Sequence, residues 1–571
     1  MGSSTSNAGP YPSLVELLRF RADQQSDKAA YVFLDSAGKE EAQLTYLDLD
    51  RRARSFAARL QRVVADGDRT ILLYPSAIDF VVAFFGCLYA GVVAVPAYPP
   101  RLNRPLTRFL ATLSDSKASL ILTTAPIARG IEKRFPESPE LASVQWAVID
   151  TEEEDRAASW RDPQVGADTL AFLQYTSGST AAPRGVMVTH GNVLHNESVI
   201  QQGSGHNESS VFVTWLPLFH DMGLIGLTLQ SLHVGGVCVV LSPLAFLQRP
   251  SSWLRAISKY RGTTSGSPNF GYDLCVNKIS IEERSGLDLS SWTLAFSGAE
   301  PIRHSTLKQF VEAYAPYGLG KSVLCPVYGL AEATLLVSGG WADIERGPIE
   351  SGGRSLMSCG SNRVPVRIVD PASCTLVADG EVGEIWVSGP SVAQGYWNQP
   401  ELTERTFRAR IAGSDEGPFL RTGDLGFFQD GELVVAGRLR DLIIIRGRNV
   451  YPQDIEQTVE ACHPAVRPAS VGVLGIETEE VEGLLVVSEV DSRQCPDLDD
   501  AVGAIRQAIA EEHDVPVDGI VLLKPAAFPR TSSGKLQRWA CRERLLSGSL
   551  PGVLLWRGHS MVSATAADDV A

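Results

Sequence analysis

The chain has 571 residues, of which 44% are hydrophobic and 20% are charged, and its formal net charge is −15. A chain of this length exceeds one hydrophobic core and predicts at least two domains, and its composition is that of an ordinary globular protein. The acidic balance, without a Lys/Arg-rich block, argues against nucleic acid as a partner. It does not argue against ATP. Salt screens charges beyond about 8 Å, so the charges that line the binding site, and not the net charge, determine whether a nucleotide binds.

Cysteine usage and hydropathy indicate a cytoplasmic protein without a membrane span. The nine cysteines are scattered without a C-x-x-C pair, which is typical of reduced core thiols. Residues 1–12 are small and polar, lack a signal-peptide pattern and are predicted to be disordered. The uncharged stretch Phe80–Pro100 is interrupted by two glycines and Pro96, so we predict a buried helix over Phe80–Ala90 followed by a strand.

Up to about residue 360, strands alternate with helices, which predicts an α/β fold with doubly wound, largely parallel sheets. Capped helices are predicted at Ser13–Ala22 and Leu44–Leu60, the second with Thr45 as N-cap and Leu47 facing inward. Strands are predicted at Arg69–Tyr74, Val92–Val95, Ser119–Thr123, Trp146–Asp150, Thr169–Gln174, Val186–Thr189, Val237–Leu241 and Leu294–Ser297.

Beyond Gly360 the strands become short and turn-rich, as at Val364–Val369 and Gly383–Ser388, which predicts a small barrel or sheet. A new α+β unit then follows, with helices expected at Pro452–Cys462 and Asp499–Glu511. The predicted organisation is an N-terminal domain over 13–437, a hinge at 438–441, a mobile C-terminal domain over 442–547 and a flexible tail over 548–571.

The stretch Tyr175–His190 contains a run of small and hydroxylated residues between two apolar strands. Glycine lets the backbone approach a ligand, and hydroxyl and N–H groups donate hydrogen bonds to phosphate oxygens. A surface linker of this composition would lack the flanking strands, so we interpret the run as a phosphate-binding loop. It is not a Walker A loop, because Arg184-Gly185-Val186 stands in place of Gly-Lys-Ser/Thr.

Two further strips follow predicted strands, at the sheet edge where ligands of open α/β folds bind. They are Ser297-Gly298-Ala299-Glu300-Pro301 and Tyr328-Gly329-Leu330-Ala331-Glu332-Ala333-Thr334. The second offers an aromatic ring to a base and an isolated carboxylate, Glu332, to Mg²⁺. A second small-residue loop is predicted at Arg261–Phe270. His220-Asp221 lies in an apolar segment, where a core histidine bonded by its neighbour is the alternative to a functional one.

With Arg421-Thr-Gly-Asp424 and Ser532-Ser-Gly-Lys535, these strips resemble the motifs of the adenylate-forming superfamily of acyl-CoA synthetases, luciferases and nonribosomal-peptide adenylation domains. The resemblance runs from Ser13 to Arg538. Long segments, among them Gly383–Trp397 and Asp441–Ile455, are similar to the fatty acyl-AMP ligases.

The resemblance implies an enzyme that activates a medium- or long-chain fatty acid with ATP and Mg²⁺ to acyl-adenylate and pyrophosphate. It further implies transfer of the acyl group to the phosphopantetheine thiol of an acyl carrier protein in lipid, polyketide or lipopeptide biosynthesis. One alternative is an acyl-CoA ligase that uses coenzyme A as acceptor. The fatty acyl-AMP ligases carry an insertion that helps to exclude coenzyme A, and the corresponding segment here, Trp341–Met357, is short. The other is a catalytically silent acyl- or nucleotide-binding protein.

The same resemblance assigns roles to residues. Phosphates would be held by the loop, the strips at 297–301 and 328–334 would border adenine, and Asp424 beside Arg438 would accept the ribose hydroxyls. The implied catalytic residues are Thr176, His220, Glu332 and Lys535, with Glu332 as metal ligand. The implied nucleotide-binding residues are Thr176, Ser177, Gly178, Ser179, Thr180, Arg184, Ser297, Gly298, Ala299, Glu300, Pro301, Tyr328, Gly329, Leu330, Ala331, Thr334, Asp424, Arg438 and Lys535.

For the acyl chain, the apolar segments suggest His220, Gly226, Ser265, Gly266 and Phe270, with core packing as the competing explanation. Two positions depart from the family pattern, because Ala181 and Arg184 stand where glycine and lysine are usual. Arginine keeps the charge but replaces a compact ammonium by a planar fork. We therefore expect altered nucleotide handling without its loss.

Overall fold

The computed structural model describes residues 11–100, 106–135, 138–148, 156–176, 183–342, 345, 347–351, 354–445, 448–477, 482–491, 493, 498–513, 515–531, 536–547, 549–550, 552–557 and 560–562. Within these ranges, none of the helices combines the length and the hydropathy that crossing a bilayer requires.

The largest sheet has nine strands and confirms the α/β prediction, because its central strands run parallel. The edge strands are antiparallel, so the sheet is mixed. In spatial order the strands are Ser361–Asn362, Leu336–Gly339, Leu324–Gly329, Leu294–Ser297, Thr264–Ser267, Val211–Thr214, Val237–Val240, Ala29–Leu34 and Glu40–Thr45. Thr264–Ser267 is thus a buried strand, and the loop predicted over Arg261–Phe270 is wrong there.

A six-stranded sheet forms the second layer of the N-terminal part. Its strands, in spatial order, are Gln145–Val148, Leu120–Thr123, Arg69–Leu73, Val93–Pro96, Leu170–Thr176 and Arg184–Thr189. All neighbours are parallel except the last two, which form an antiparallel hairpin around the predicted phosphate loop.

Helices cover these sheets where the apolar periodicity places them. Thr45 caps its helix with a capping box to Asp48, as the sequence predicts, but Leu47 is 40% exposed. The inward prediction for Leu47 is wrong, because the buried face of that helix runs through Tyr46, Leu49 and Phe56. The N-terminal helices are Leu14–Gln24, Tyr46–Leu60, Ala77–Tyr89, Thr107–Ser116, Ala125–Arg134, Pro139–Ala142, His190–Ser204, Asp221–Gly223, the π-helix Leu224–Leu229, Gln230–Val234, Pro243–Gln248, Ser251–Tyr260, Asn269–Lys278, Ile281–Arg284, His304–Tyr314 and Pro400–Phe407.

A small antiparallel sheet follows, as the short strands beyond Gly360 predict. Its four strands are Val366–Val369, Gly383–Val387, Leu420–Gln429 and Glu432–Arg438. A short hairpin of Ile349–Ser351 and Arg354–Leu356 precedes this sheet in the chain. It lies within Trp341–Met357, the segment that is short compared with the fatty acyl-AMP ligases.

The C-terminal part has its own sheet and its own cores. Strands Val466–Glu477, Glu482–Val490, Gly519–Leu523, Gly552–Arg557 and Ser560–Val562 form one sheet, next to a hairpin of Ile443–Ile445 and Arg448–Val450. Helices Pro452–Cys462, Leu498–His513 and Arg538–Leu546 pack with it. The flexible tail predicted from residue 548 is wrong for 552–557 and 560–562, because the run Val-Leu-Leu-Trp at 553–556 extends the sheet.

Candidate active site

The predicted strips at 297–301, 328–334 and 421–424 meet, together with Thr176 and Arg184, in one cleft of about 3240 Å³ that is lined by both parts of the chain. Pockets for single small ligands usually measure about 300–1,000 Å³, so this cleft has room for a nucleotide, an acyl chain and the space between two domains. It lies at the carboxyl ends of Leu170–Thr176, Leu294–Ser297 and Leu324–Gly329, where open α/β sheets bind ligands.

Asp424 is the buried centre of a polar cluster that reaches the surface of this cleft at Arg438. It lies opposite Arg438 in the small sheet. The Nε of Arg438 donates to Asp424 Oδ1 at 3.1 Å. The Tyr328 hydroxyl donates to the other oxygen, Oδ2, at 2.9 Å. The Asp424 carboxylate raises the pKa of Arg438, and burial raises the pKa of Tyr328. The two donors therefore fix the orientation of the carboxylate, which is suited to accept hydrogen bonds from two sugar hydroxyls.

Glu332 lies in a single 3₁₀ turn, Ala331–Ala333, that follows the strand ending at Gly329. The Tyr396 hydroxyl donates to Glu332 Oε1 at 2.7 Å. Burial raises the pKa of Glu332, and the hydrogen bond from Tyr396 opposes this. A nearby cation would favour the ionised carboxylate, so the surroundings of Glu332 fit an oxygen-binding divalent ion such as Mg²⁺.

Tyr396 links the carboxylate to the phosphate hairpin and was missed by the sequence reasoning. The Arg184 guanidinium carbon lies 5.5 Å from the centroid of its ring. Arg184 pairs with Thr176 across the hairpin, so both residues stand at the mouth of the loop. Tyr396 occurs in a segment that resembles the fatty acyl-AMP ligases, which was the available signal.

Eight of the twelve residues in the two nucleotide strips line the cleft, and Ser297, Gly298, Ala333 and Thr334 do not. The residues that line it are Ala299, Glu300, Pro301, Tyr328, Gly329, Leu330, Ala331 and Glu332. Ser297 is fully buried. Gly298 packs against Val327, because a Cβ added to Gly298 would lie 2.7 Å from the Cγ2 of Val327. Thr334 is also fully buried, and its hydroxyl donates to the Ser391 carbonyl. The structure therefore does not place Ser297, Gly298 and Thr334 on the cleft wall, and their contact with the nucleotide stays a prediction.

His220 combines the two interpretations that the sequence left open. Its Nδ1 lies 2.6 Å from Asp221 Oδ1, so it is bonded by its neighbour. The side chain is a quarter exposed and lines the cleft together with Gly226 and Phe270.

Ser265 and Gly266 are sheet residues that do not line the cleft, and their assignment to the acyl site is wrong. Ser265 is fully buried, and its hydroxyl accepts from Trp253 Nε1 at 2.8 Å and donates to the Val213 carbonyl. An added Cβ on Gly266 would lie 2.3 Å from the Phe296 ring. Small residues in sequence were taken for a loop, whereas here they allow close packing on the sheet.

A better candidate for the acyl site is a part of the cleft between the helix His190–Ser204 and the large sheet. One face of the helix, at positions i, i+3 and i+4, contributes Ile200, Gly203 and Ser204. The sheet contributes Thr264, Leu294, Phe296, Cys325 and Val327, which point to the same side by strand alternation. No motif marks these residues in the sequence, and only their spacing on the helix was available.

The remaining predicted site residues, Ser177, Gly178, Ser179, Thr180 and Lys535, lie outside the described residues, as does Ala181. The chain on both sides of Lys535 is described. Arg530 and Leu536 form an antiparallel bridge, and Gln537 N donates to the Pro529 carbonyl at 2.8 Å.

Comparison with known proteins agrees with this geometry. The pattern of the family described as AMP-binding enzyme matches residues 18–397, and that of a Disco-interacting protein 2-like AMP domain matches 440–552. The chain is 45% identical over 568 residues to the medium-chain-fatty-acid–[acyl-carrier-protein] ligase JamA of Moorena producens, covering 95% of this chain and 96% of that protein.

A second relative and a solved structure give the same result. The chain is 34% identical over 611 residues to the medium-chain-fatty-acid–[acyl-carrier-protein] ligase TtuA of Teredinibacter turnerae, covering 96% and 95%. It matches the crystal structure of a fatty acyl-adenylate ligase from L. pneumophila in complex with acyl adenylate and pyrophosphate with a TM-score of 0.72. That match has 39% identity and covers 95% and 98% of the two chains. The chain therefore belongs to the AMP-binding enzyme family and, within it, to the fatty acyl-AMP ligases that its motifs resemble.

Proposed function

We propose that this enzyme activates a medium- or long-chain fatty acid with ATP and transfers the acyl group to the phosphopantetheine thiol of an acyl carrier protein. The observation that carries the proposal is the pair of carboxylates in one cleft. Asp424 is oriented by Tyr328 and Arg438, and Glu332 is oriented by Tyr396. The names of JamA and TtuA, which are ligases of medium-chain fatty acids and acyl carrier proteins, support the substrate and the acceptor.

In the first half-reaction, a carboxylate oxygen of the fatty acid attacks the α-phosphorus of ATP. The bond between that phosphorus and the oxygen bridging to the β-phosphate breaks, and pyrophosphate leaves. Asp424 binds the ribose, Tyr328 borders the adenine, and Thr176 and Arg184 contact the departing phosphates. Lys535 stabilises the negative charge of the transition state. Mg²⁺ held by Glu332 would neutralise charge on the phosphate oxygens.

In the second half-reaction, the thiolate attacks the acyl carbonyl carbon, the bond from that carbon to the AMP oxygen breaks, and AMP leaves. The segment 438–441 acts as the hinge about which the C-terminal domain turns between the two steps. We also propose a cytoplasmic location, which is supported by the free state of the cysteines in the described part of the chain.

The test of the first step is fatty-acid-dependent exchange of labelled pyrophosphate into ATP. Exchange with fatty acids of eight to sixteen carbons is the expected result, and a complete lack of exchange at every chain length would refute adenylation. The acceptor is tested by supplying coenzyme A or a holo acyl carrier protein to the loaded enzyme. Faster transfer to coenzyme A would make the protein an acyl-CoA ligase.

A further inference from the structure

An ion pair joins the two domains beside the adenine strip. Arg303 Nη1 lies 2.6 Å from Glu460 Oε2. Arg303 follows the strip by two residues and precedes the helix His304–Tyr314, whereas Glu460 belongs to the C-terminal helix Pro452–Cys462. The Glu460 side chain is only 8% exposed, so the contact is not an ordinary surface pair.

The arginine is fixed on the N-terminal domain. Its backbone N–H donates to Asn269 Oδ1 at 3.0 Å, and the Asn269 amide donates to Asp273 and Thr306. Asn269 begins the helix Asn269–Lys278, and Glu300 is anchored to this helix as well, since its Oε1 accepts from Phe270 N at 2.7 Å. The position of Arg303 is therefore coupled to that of the adenine strip and of the helix Asn269–Lys278.

Arg303 forms the ion pair of Glu460, and a backbone hydrogen bond from Ala469 also favours the ionised carboxylate. Burial raises the pKa of Glu460, and the Arg303 charge opposes this, while Glu456 on the same helix adds to the rise. Removing one member of a buried pair leaves the other charge uncompensated. Separation of the domains relieves this burial, so the pair stabilises only the arrangement in which the two surfaces meet.

Arg530 indicates which arrangement this is. Burial lowers the pKa of Arg530, and the charges of Glu489, Glu300 and Glu460 oppose this. The charge of Arg530 thus interacts with two carboxylates, Glu300 of the adenine strip and Glu460 of the ion pair. Arg530 bridges Leu536, the residue after Lys535. Thr531 and Leu536, the described residues nearest to Lys535 on either side, line the same cleft as Glu300 and Pro301. The arrangement held by the ion pair is therefore the one in which this part of the C-terminal domain faces the adenine strip.

We propose that Arg303 and Glu460 are a positioning pair that holds the C-terminal domain on the adenine strip during adenylate formation and separates before acyl transfer. The inference rests on the proposed two-step function. Neither residue touches the reacting atoms, and both act through the placement of the domain that carries Lys535.

The kinetic test compares the two half-reactions in Arg303→Met, Glu460→Gln and the double variant, with decanoate as the fatty acid. Pyrophosphate exchange should slow about tenfold in each single variant, and the double variant should be no slower, because one contact is lost in all three. The KM for ATP should stay within about threefold. Transfer from synthetic decanoyl-adenylate to pantetheine should not slow, because that step does not use this arrangement.

Two controls separate positioning from general damage. Arg303→Lys keeps the charge and should recover exchange to within about threefold of wild type, and Lys308→Met, an exposed change on the following helix, should have no effect. Equal losses in both half-reactions, or exchange within twofold of wild type in Arg303→Met, would overturn the proposal. If Arg303→Met does not fold, Glu460→Gln tests the pair from the other domain.

A measurement without turnover distinguishes this proposal from the proposed function. Small-angle scattering of Glu460→Gln should show a larger radius of gyration than wild type, whereas Lys308→Met should match wild type. Identical scattering for wild type and Glu460→Gln would contradict the pair even in an active enzyme. A wild-type enzyme that shows the scattering difference but no exchange would refute the proposed function alone.

Discussion

Asp424 receives one donor on each carboxylate oxygen, so its geometry is set before a nucleotide arrives. Asp424→Asn replaces one acceptor oxygen by an amide that faces the donor of either Tyr328 or Arg438. Hydrogen bonds to a charged acceptor contribute about 1.5–3 kcal/mol, so we expect the KM for ATP in the exchange reaction to rise about 10- to 100-fold. Asp379→Asn, at an exposed position, is the matched control, and a change below threefold in Asp424→Asn would argue against a ribose contact.

Lys535 is the residue whose role rests most on its motif. If its charge stabilises the pentacovalent transition state, Lys535→Ala should slow pyrophosphate exchange by about two orders of magnitude or more, which corresponds to about 3 kcal/mol of barrier. Exposed Lys524→Ala serves as the control. A loss smaller than tenfold would remove Lys535 from the catalytic residues.

His190 predicts a pH dependence of stability. It is 1% exposed, its Nδ1 accepts from Leu14 N, and burial lowers its pKa to about 4. Between pH 6.5 and 4 the unfolded histidine binds a proton that the folded one does not, so stability falls as the pH falls. At pH 5 this loss is about 2 kcal/mol. The free energy of unfolding of His190→Gln should therefore depend less steeply on pH in this window, and an unchanged slope would contradict the assignment.

At the scale of elements, Arg538 lies at the centre of a charged cluster in the C-terminal part of the chain. It opens the helix Arg538–Leu546, and its Nε and Nη2 donate to both oxygens of Glu456 at 2.7 and 2.6 Å. Its Nη1 lies 3.2 Å from Asp441 Oδ2, and Glu456 Oε1 also accepts from Val473 N. The cluster thus ties one helix to another, to the sheet and to the proposed hinge.

Arg538→Ala should leave two largely buried carboxylates without their cation. We expect a loss of about 3 kcal/mol in the stability of the C-terminal domain, detected as faster amide exchange at Val471 and Val473. The exposed Arg542→Ala on the same helix should leave this exchange unchanged. Unaltered exchange in Arg538→Ala would show that the cluster contributes little.

Local patterns predicted the elements whose signal lies within a few residues. The cap at Thr45, the buried helix after residue 77 and the small antiparallel sheet follow from such signals. Thr264–Ser267 did not, because serine and glycine have weak strand propensity and the strand forms through its neighbours in the sheet. Likewise, Ser265 and Thr334 carry hydroxyls that could bind a ligand, but both hydroxyls donate hydrogen bonds to backbone carbonyls that are distant in sequence. Tyr396 reaches Glu332 across 64 residues, a contact that no local pattern contains.

At the scale of the molecule, the hydrophobic cores divide near the proposed hinge. The largest core contains buried residues from Leu14 to Leu433, and the two C-terminal cores contain buried residues only from Ile443 onward. Few apolar contacts would therefore be lost if one domain unfolded before the other.

Calorimetry should accordingly resolve two unfolding transitions, since separate cores allow separate cooperative units. ATP should raise the transition of the N-terminal domain, because a ligand stabilises the state that binds it. In Asp424→Asn this shift should shrink while the other transition stays in place. A single transition whose enthalpy equals the van't Hoff value would show that the domains unfold as one unit.

The four residues at 438–441 are anchored from opposite sides. Arg438 is paired with Asp424, and Leu439 N donates to the Gly423 carbonyl, so the start of the segment belongs to the N-terminal domain. Asp441 is paired with Arg538, so its end belongs to the C-terminal domain. If the segment 438–441 acts as the proposed hinge, the backbone torsions near Arg440 would carry most of the rotation. The C-terminal domain would then rotate over the nucleotide site rather than slide along it.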